Sequence, residues 1–288
     1  MVTMMNDFVA FIISHGRPNK IITYNVLRNK GYSGRIVIII DDQDKKGSEY
    51  IEKYGDDVVI FNKQQIADTI DRGDNFNDLR TTTHARNAAF GIARDLGYKY
   101  FIVLDDDYTK FDYRFNRQFE FKNRLLTNLD SVWEAMLTFY KKVDRLLTLA
   151  MSQGGDYIGG KNSSNASSIK LKRKAMNSFI CSVDRPFNFI SRLNEDVNTY
   201  ISLGSRGYLF FTTNQVMLTQ LQTQSNTGGM TETYLDSGTY VKSFYSVMYQ
   251  PSSVKIRQMS GRLHHSIDWK STVPKIIEER WRKSRPCD

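Results

Sequence analysis

The first hundred residues alternate short apolar runs with helix-patterned segments, which restricts the chain to an α/β fold built on a parallel sheet. Residues 8–13, 35–40, 58–61 and 100–104 have the length and apolar character of buried strands. Helical spacing falls near 20–29, 48–54, 63–72 and 84–96. The first strand runs into Ser14, His15, Gly16, Arg17 and Pro18, the second into Asp41 and Asp42, and the fourth into Asp105, Asp106 and Asp107. Ligands of open α/β sheets bind beyond the carboxyl ends of the strands, so this repeated placement of polar groups argues for one shared pocket.

Three adjacent carboxylates at the rim of a core are costly unless a cation compensates them, and a divalent metal with a bound polyphosphate does so. The plainer reading is a solvated turn or a helix cap. Against it stands the preceding segment, where Ala85, Ala88, Ala89, Ile92, Ala93 and Leu96 form one apolar stripe leading into the strand that delivers the aspartates. The combination points to an enzyme using a nucleotide-activated donor.

Such a transfer needs a cation on the diphosphate leaving group, groups that hold base and ribose and, if configuration inverts, a base for the acceptor hydroxyl. Asp105 and Asp107 are candidates for the metal and for ribose or sugar hydroxyls, and His264 or His265 can complete the coordination. Ser14, His15, Arg17, Asp41 and Asp106 are candidates for the nucleotide sugar. Arg86 can reach phosphates or donor sugar, or pair with Asp42 or Asp105. Glu195 and Asp196, ahead of an apolar-periodic segment, are candidate general bases, with helix capping the simpler role.

A chain of 288 residues with a formal charge of +9 can bury a large core and favours a polyanionic partner. Lys161, Lys170, Lys172, Arg173 and Lys174 flank a Ser/Asn-rich loop, and Arg280, Arg282, Lys283 and Arg285 form a basic tail. Lys172, Arg173, Lys174, Arg282 and Lys283 are the candidate contacts to such a polyanion, which the resemblance described below implies is DNA. Cys181 and Cys287 are too few for a disulfide framework or zinc site, so the Asn162 and Asn165 sequons read as polar loop. No run approaches a membrane span and the first residues lack signal-peptide order, so a cytoplasmic protein is expected, with no membrane partner.

No linker interrupts the chain, so a single domain over 1–288 is expected, with a nucleotide-sugar half at 1–107 and an acceptor half at 108–288. Residues 108–122 read as a hairpin or lid, and 129–151 as one long amphipathic core helix. Residues 176–183 and 207–213 read as strands, and the Gly-rich 226–232 as a mobile loop. Tyr234, Tyr240, Phe244, Tyr245 and Tyr249 are either core or platforms for an exposed base.

The ordered set of Ser14-His-Gly-Arg-Pro18, His84-Ala-Arg-Asn87, the aspartate triplet, Asn194-Glu-Asp196 and His264-His265 resembles the GT-A glycosyltransferases. More narrowly it resembles the TET/JBP-associated glycosyltransferases, encoded largely by bacteriophages. The resemblance implies a Rossmann-like, mostly parallel central sheet flanked by helices, with a mixed C-terminal acceptor-side half. It implies transfer of a hexose or N-acetylhexosamine from a UDP-sugar onto 5-hydroxymethylcytosine or 5-hydroxymethyluracil in DNA, with Mn²⁺ or Mg²⁺. It places Asp105 and Asp107 in the metal and nucleotide motif, and Asp196 at the position of the catalytic base in inverting relatives. A sugar-1-phosphate nucleotidylyltransferase would carry a Gly-rich loop with a lysine after strand one, which residues 14–18 do not match. A noncatalytic DNA-binding module would gain nothing from three carboxylates in a basic chain.

Overall fold

The computed structural model describes residues 6–118, 120–153, 177–221, 230–238, 240–259 and 261–274. Its strands are β1 (Phe8–Ile13), β2 (Arg35–Asp41), β3 (Val58–Phe61), β4 (Tyr100–Asp105), β5 (Tyr108–Phe115), β6 (Phe121–Leu125), β7 (Leu146–Gln153), β8 (Ser178–Ser182), β9 (Leu209–Gln220), β10 (Val254–Met259) and β11 (Arg262–Ile267). The α-helices are α1 (Ile22–Asn29), α2 (Gly47–Tyr54), α3 (Lys63–Ala67), α4 (Thr83–Asp95), α5 (Leu129–Lys142), α6 (Glu195–Ser205), α7 (Met230–Ser237) and α8 (Val241–Tyr249).

Among the described residues, nine strands form one sheet in the order β3-β2-β1-β4-β8-β7-β9-β5-β6. The first four are mutually parallel, whereas β8 runs antiparallel to β4 and the remaining strands pair in both senses. This is the expected α/β architecture, a parallel first half continued by a mixed second half. The residues of β1 are buried throughout, because the sheet is covered on both faces. Alternate side chains separate accordingly: Phe8, Ala10 and Ile12 join one core with Trp133 of α5, while Val9, Phe11 and Ile13 join a second with α4 and α6.

The register places the functional chain ends side by side. Ile13 pairs with Asp105 across β1 and β4, so Ser14 and Asp106 emerge together. Leu104 pairs with Ser178 across β4 and β8, and the antiparallel sense brings Asn177, just before β8, opposite Asp105. Strands β5 and β6 pair as a hairpin where 108–122 reads as a hairpin or a lid, and β9 extends well beyond the expected 207–213.

The long helix expected over 129–151 is corrected. Helix α5 ends at Lys142, and residues 146–153 form β7 inside the sheet. Val143 leaves helical geometry at φ −113 and ψ 101, and Arg185 donates to the carbonyls of Val143 and Leu146 at 2.7 and 2.9 Å, satisfying oxygens at the break. Leu146, Leu147, Leu149, Ala150 and Met151 fit helical and strand spacing alike. Burial on both sheet faces decides for the strand. The helix expected over 63–72 ends at Ala67.

Trp133 is fully buried and packs its indole against Phe8, Tyr32 and Phe111 with ring centroids 5.6, 4.7 and 6.5 Å away. Trp133→Ala is expected to lower unfolding free energy by about 3–5 kcal/mol, read from urea denaturation; a loss under about 1 kcal/mol contradicts this packing.

Candidate active site

A cavity of about 720 Å³ opens at the carboxyl end of the parallel strands. Its wall gathers Ser14, His15, Arg17, Asp41, Arg86, Asp105, Asp106, Asp107, Glu195 and Asp196, which are the donor and base candidates read from sequence.

The three aspartates have different surroundings. Asp106 is buried and accepts from Ser14 Oγ at 2.6 Å, and its other oxygen lies 3.1 Å from Arg17 Nη2. Tyr50, deep under the loop, hydrogen-bonds Ser14 Oγ at 2.9 Å and accepts the Arg17 N–H at 2.8 Å. Asp106 therefore anchors the loop after β1. Asp105 accepts from Arg86 Nη2 at 3.2 Å and from Asn177 Nδ2 at 3.0 Å. Asp107 lines the cavity, and burial together with the charges of Asp105 and Asp106 pushes its carboxyl up to about 7.

Arg86, only 2% exposed, joins the end of β4 to the second acidic pair. Its Nη1 donates to Glu195 Oε1 at 2.6 Å, and its guanidinium lies 5.1 and 5.8 Å from the ring centroids of Phe179 and Phe189. Thr82 also donates to Glu195 Oε1 at 2.6 Å. Burial pushes Glu195 above the usual carboxylate range, with Arg86 opposing. Asp196, next on α6, accepts the Val197 N–H at 2.8 Å and lines the cavity. The loop before α6 holds Ser191 and Asn194 at φ 79 and 57, in the left-handed region that non-glycine residues seldom enter. Ser191 is fixed there by its N–H bond to the Asp71 carbonyl at 2.7 Å, and Asn194 by its bond to Ser246 at 2.6 Å.

On the β2 and β3 side, His15 Nδ1 lies 2.7 Å from Asp41 and Lys63 Nζ lies 3.3 Å from the same carboxylate. The Gly16 N–H donates to Asp44 at 2.6 Å. The Asp41 hydrogen bond raises His15 above its ordinary value of 6.5. Burial works against the Asp41 carboxylate, yet His15 and Lys63 hold it below its usual value. His84 contributes a buried imidazole, neither ring nitrogen of which has a hydrogen-bond partner among the described residues, and burial with the charges of Lys63 and Arg72 lowers it to about 4.

His264 and His265 sit outside this wall, on β11. They are consecutive strand residues, so the pleat sends them to opposite faces. His265 Nδ1 lies 3.4 Å from Asn194 Nδ2, beside the acidic pair, and His264 stands across the ladder from Arg257. Among the described residues no group of three or more His, Cys, Asp or Glu side chains is arranged to hold a metal ion. A cation with few protein ligands, completed by donor phosphates and water, fits Asp107 and Asp105 better than a closed protein cage does.

Of the aromatic candidates, Tyr234 lines the cavity and Tyr240 and Phe244 are exposed. Tyr245 is buried, hydrogen-bonded to Arg192 and Asp74, and Tyr249 donates to the Asp71 carbonyl at 3.2 Å, so these two serve packing. Lys172, Arg173, Lys174, Arg282 and Lys283, the two sequons, Cys287 and residues 226–229 lie outside the described residues. Lys63 and Asn177 are absent from the site candidates read in the sequence, and His84 enters there only within the His84-Ala-Arg-Asn87 element. Lys63 follows the end of β3, where the strand-end rule applies equally, whereas Asn177 emerges only from the antiparallel register of β8.

His15 and His84 are expected to titrate on opposite sides of 6.5 in NMR-monitored imidazole shifts, His84 near 4. The His15–Asp41 pair stabilises the fold fully below pH 6.5 and loses that contribution as pH rises through the raised folded value; His84 destabilises as pH falls below 6.5. Asp41→Asn should return His15 to 6.5 or below, and a His15 midpoint unmoved by that change contradicts the assignment.

The chain covers 84% of itself and 65% of the chain in the crystal structure of S. aureus TarS residues 1–349, at 12% identity and a TM-score of 0.46. Against a second S. aureus TarS structure the figures are 76%, 37%, 11% and 0.44. It thus spans less than two thirds of either chain. No curated protein matches it in sequence. The family model described as TET-Associated Glycosyltransferase matches residues 8–229. The chain belongs to that glycosyltransferase family.

Proposed function

We propose that this protein transfers a sugar from a UDP-sugar to the hydroxymethyl group of 5-hydroxymethylcytosine or 5-hydroxymethyluracil in DNA. The observation that carries the reading is the convergence of Asp105, Asp107, Arg86 and Asp196 on one cavity in a chain of this family. Asp41, His15, Lys63 and His84 would take base and ribose, since they occupy the ends of β2 and β3 and the start of α4. Arg17 supplies positive charge toward the diphosphate. Asp107, with Asp105, would hold Mn²⁺ or Mg²⁺, whose bound charge would stabilise the departing diphosphate.

The two acids of α6 divide their work. Glu195 is committed to Arg86 and Thr82, and so acts as a positioning residue. Asp196 is then the group that accepts the proton from the acceptor hydroxyl in an inverting transfer. Residues 1–107 serve the donor in this reading and 108–288 the acceptor, within one domain acting in the cytoplasm, which in a phage-encoded protein is that of the bacterial host. Among the described residues no helix is long and apolar enough to cross a membrane.

The test incubates protein and Mn²⁺ with 5-hydroxymethylcytosine DNA and a panel of UDP-sugars, and reads nucleoside masses after digestion. A gain of one hexose or N-acetylhexosamine on the modified base, absent with unmodified DNA, is expected. Asp196→Asn should lower the rate by about 100- to 10,000-fold with UDP binding retained. No mass gain on either hydroxymethylpyrimidine, beside steady UDP release, would move the acceptor elsewhere.

A further inference from the structure

The ribbon formed by β10 and β11 lies beyond residues 8–229, the span matched by the family. From Ser237 to Ile267 the chain contains no Asp or Glu, while Lys255, Arg257 and Arg262 fall in the ribbon. The ladder pairs Lys255 with Ser266 and Arg257 with His264, and directly paired residues share a face. Arg262 lies two positions before His264 and joins that face. Lys255, Arg257 and Arg262 are exposed, and none has a carboxylate partner among the described residues.

The opposite face turns inward. Val254 is buried, and Ile267 packs against the core shared by α4 and α6. On that inner face His265 reaches Asn194, the residue immediately before Glu195 and Asp196. The ribbon is therefore fixed to the acceptor end of the cavity by one side and offers solvent a cationic side with no carboxylate partner among the described residues.

We propose that this basic face docks the acceptor as duplex DNA, with Lys255, Arg257 and Arg262 on backbone phosphates. The inference rests on DNA being the acceptor. Two strands about 5 Å apart form a ribbon that a major groove about 12 Å wide admits. Cations on alternate residues, about 7 Å apart, suit a row of phosphates, and a ribbon without carboxylates repels none of them. Anchoring through His265 would hold the bound duplex beside Asp196, so that the target base needs only local extrusion to meet the donor.

The test measures binding of a fluorescein-labelled duplex by anisotropy from 50 to 200 mM salt. The proteins are the wild type, Lys255→Gln/Arg257→Gln/Arg262→Gln, and the corresponding triple Glu variant. UDP binding by calorimetry reports that each variant retains its fold and donor site. The triple Gln variant should bind at least about tenfold more weakly at low salt, with the log K against log salt slope flattened by about 0.9 for each lost phosphate contact. Unchanged affinity and slope in a variant that binds UDP would overturn the ribbon as docking surface and leave the proposed transfer intact. A wild type that binds no duplex at 50 mM salt would also overturn it. Absence of transfer by a protein whose DNA binding depends on the ribbon as described would refute the proposed reaction and sustain the docking surface.

Discussion

The site depends on one buried guanidinium. Arg86 leaves α4, donates to Asp105 at the end of β4 and to Glu195 at the start of α6, and packs beside two phenylalanine rings. A buried cation is tolerable only when its hydrogen bonds and charge are met, and here the partners come from two separate elements. The pairing thereby fixes the distance between the aspartates at the end of β4 and the acid pair of α6. A lysine offers no planar fork to bridge two carboxylates, so the identity of this residue matters as well as its charge.

From that bridge follows the division of labour among the acids. Asp106 is spent on Ser14 and Arg17, which close the loop after β1. Glu195 is spent on Arg86 and Thr82. Asp107 and Asp196 line the cavity from the turn after β4 and from α6, and each stands next in sequence to an acid with a structural task. One acid of each cluster thus sets geometry while its neighbour lines the cavity, which gives physical sense to having acidic clusters at these two places.

Much of the first hundred residues was legible in the sequence. Buried parallel strands are nearly continuous apolar runs, so 8–13 and 100–104 declare themselves, and the residues after them fall at the pocket by topology alone. Beyond residue 107 legibility declines for physical reasons. Leu146 to Met151 satisfy two periodicities, and only pairing with β8 and β9 selects the strand. His264 and His265 stand side by side in a linear string, but a pleated strand separates adjacent side chains, and only the ladder shows that His265 is the one beside Asn194. Likewise Tyr245 resembles a stacking residue until Asp74 and Arg192, remote in sequence, prove to be its partners. The left-handed turn at Asn194 that presents Asp196 has no signal beyond the presence of an asparagine.

In the proposed reaction the carboxylates at the end of β4 form the cation-dependent diphosphate site of a nucleotide-sugar pocket. Calorimetric titration of UDP with and without Mn²⁺, into wild type and Asp107→Asn, addresses it most directly. Mn²⁺ is expected to tighten UDP binding at least about tenfold in the wild type and to have no such effect in the variant, with circular dichroism reporting that the variant keeps its fold. UDP affinity indifferent to Mn²⁺ in the wild type, or an equal gain in both proteins, would contradict it.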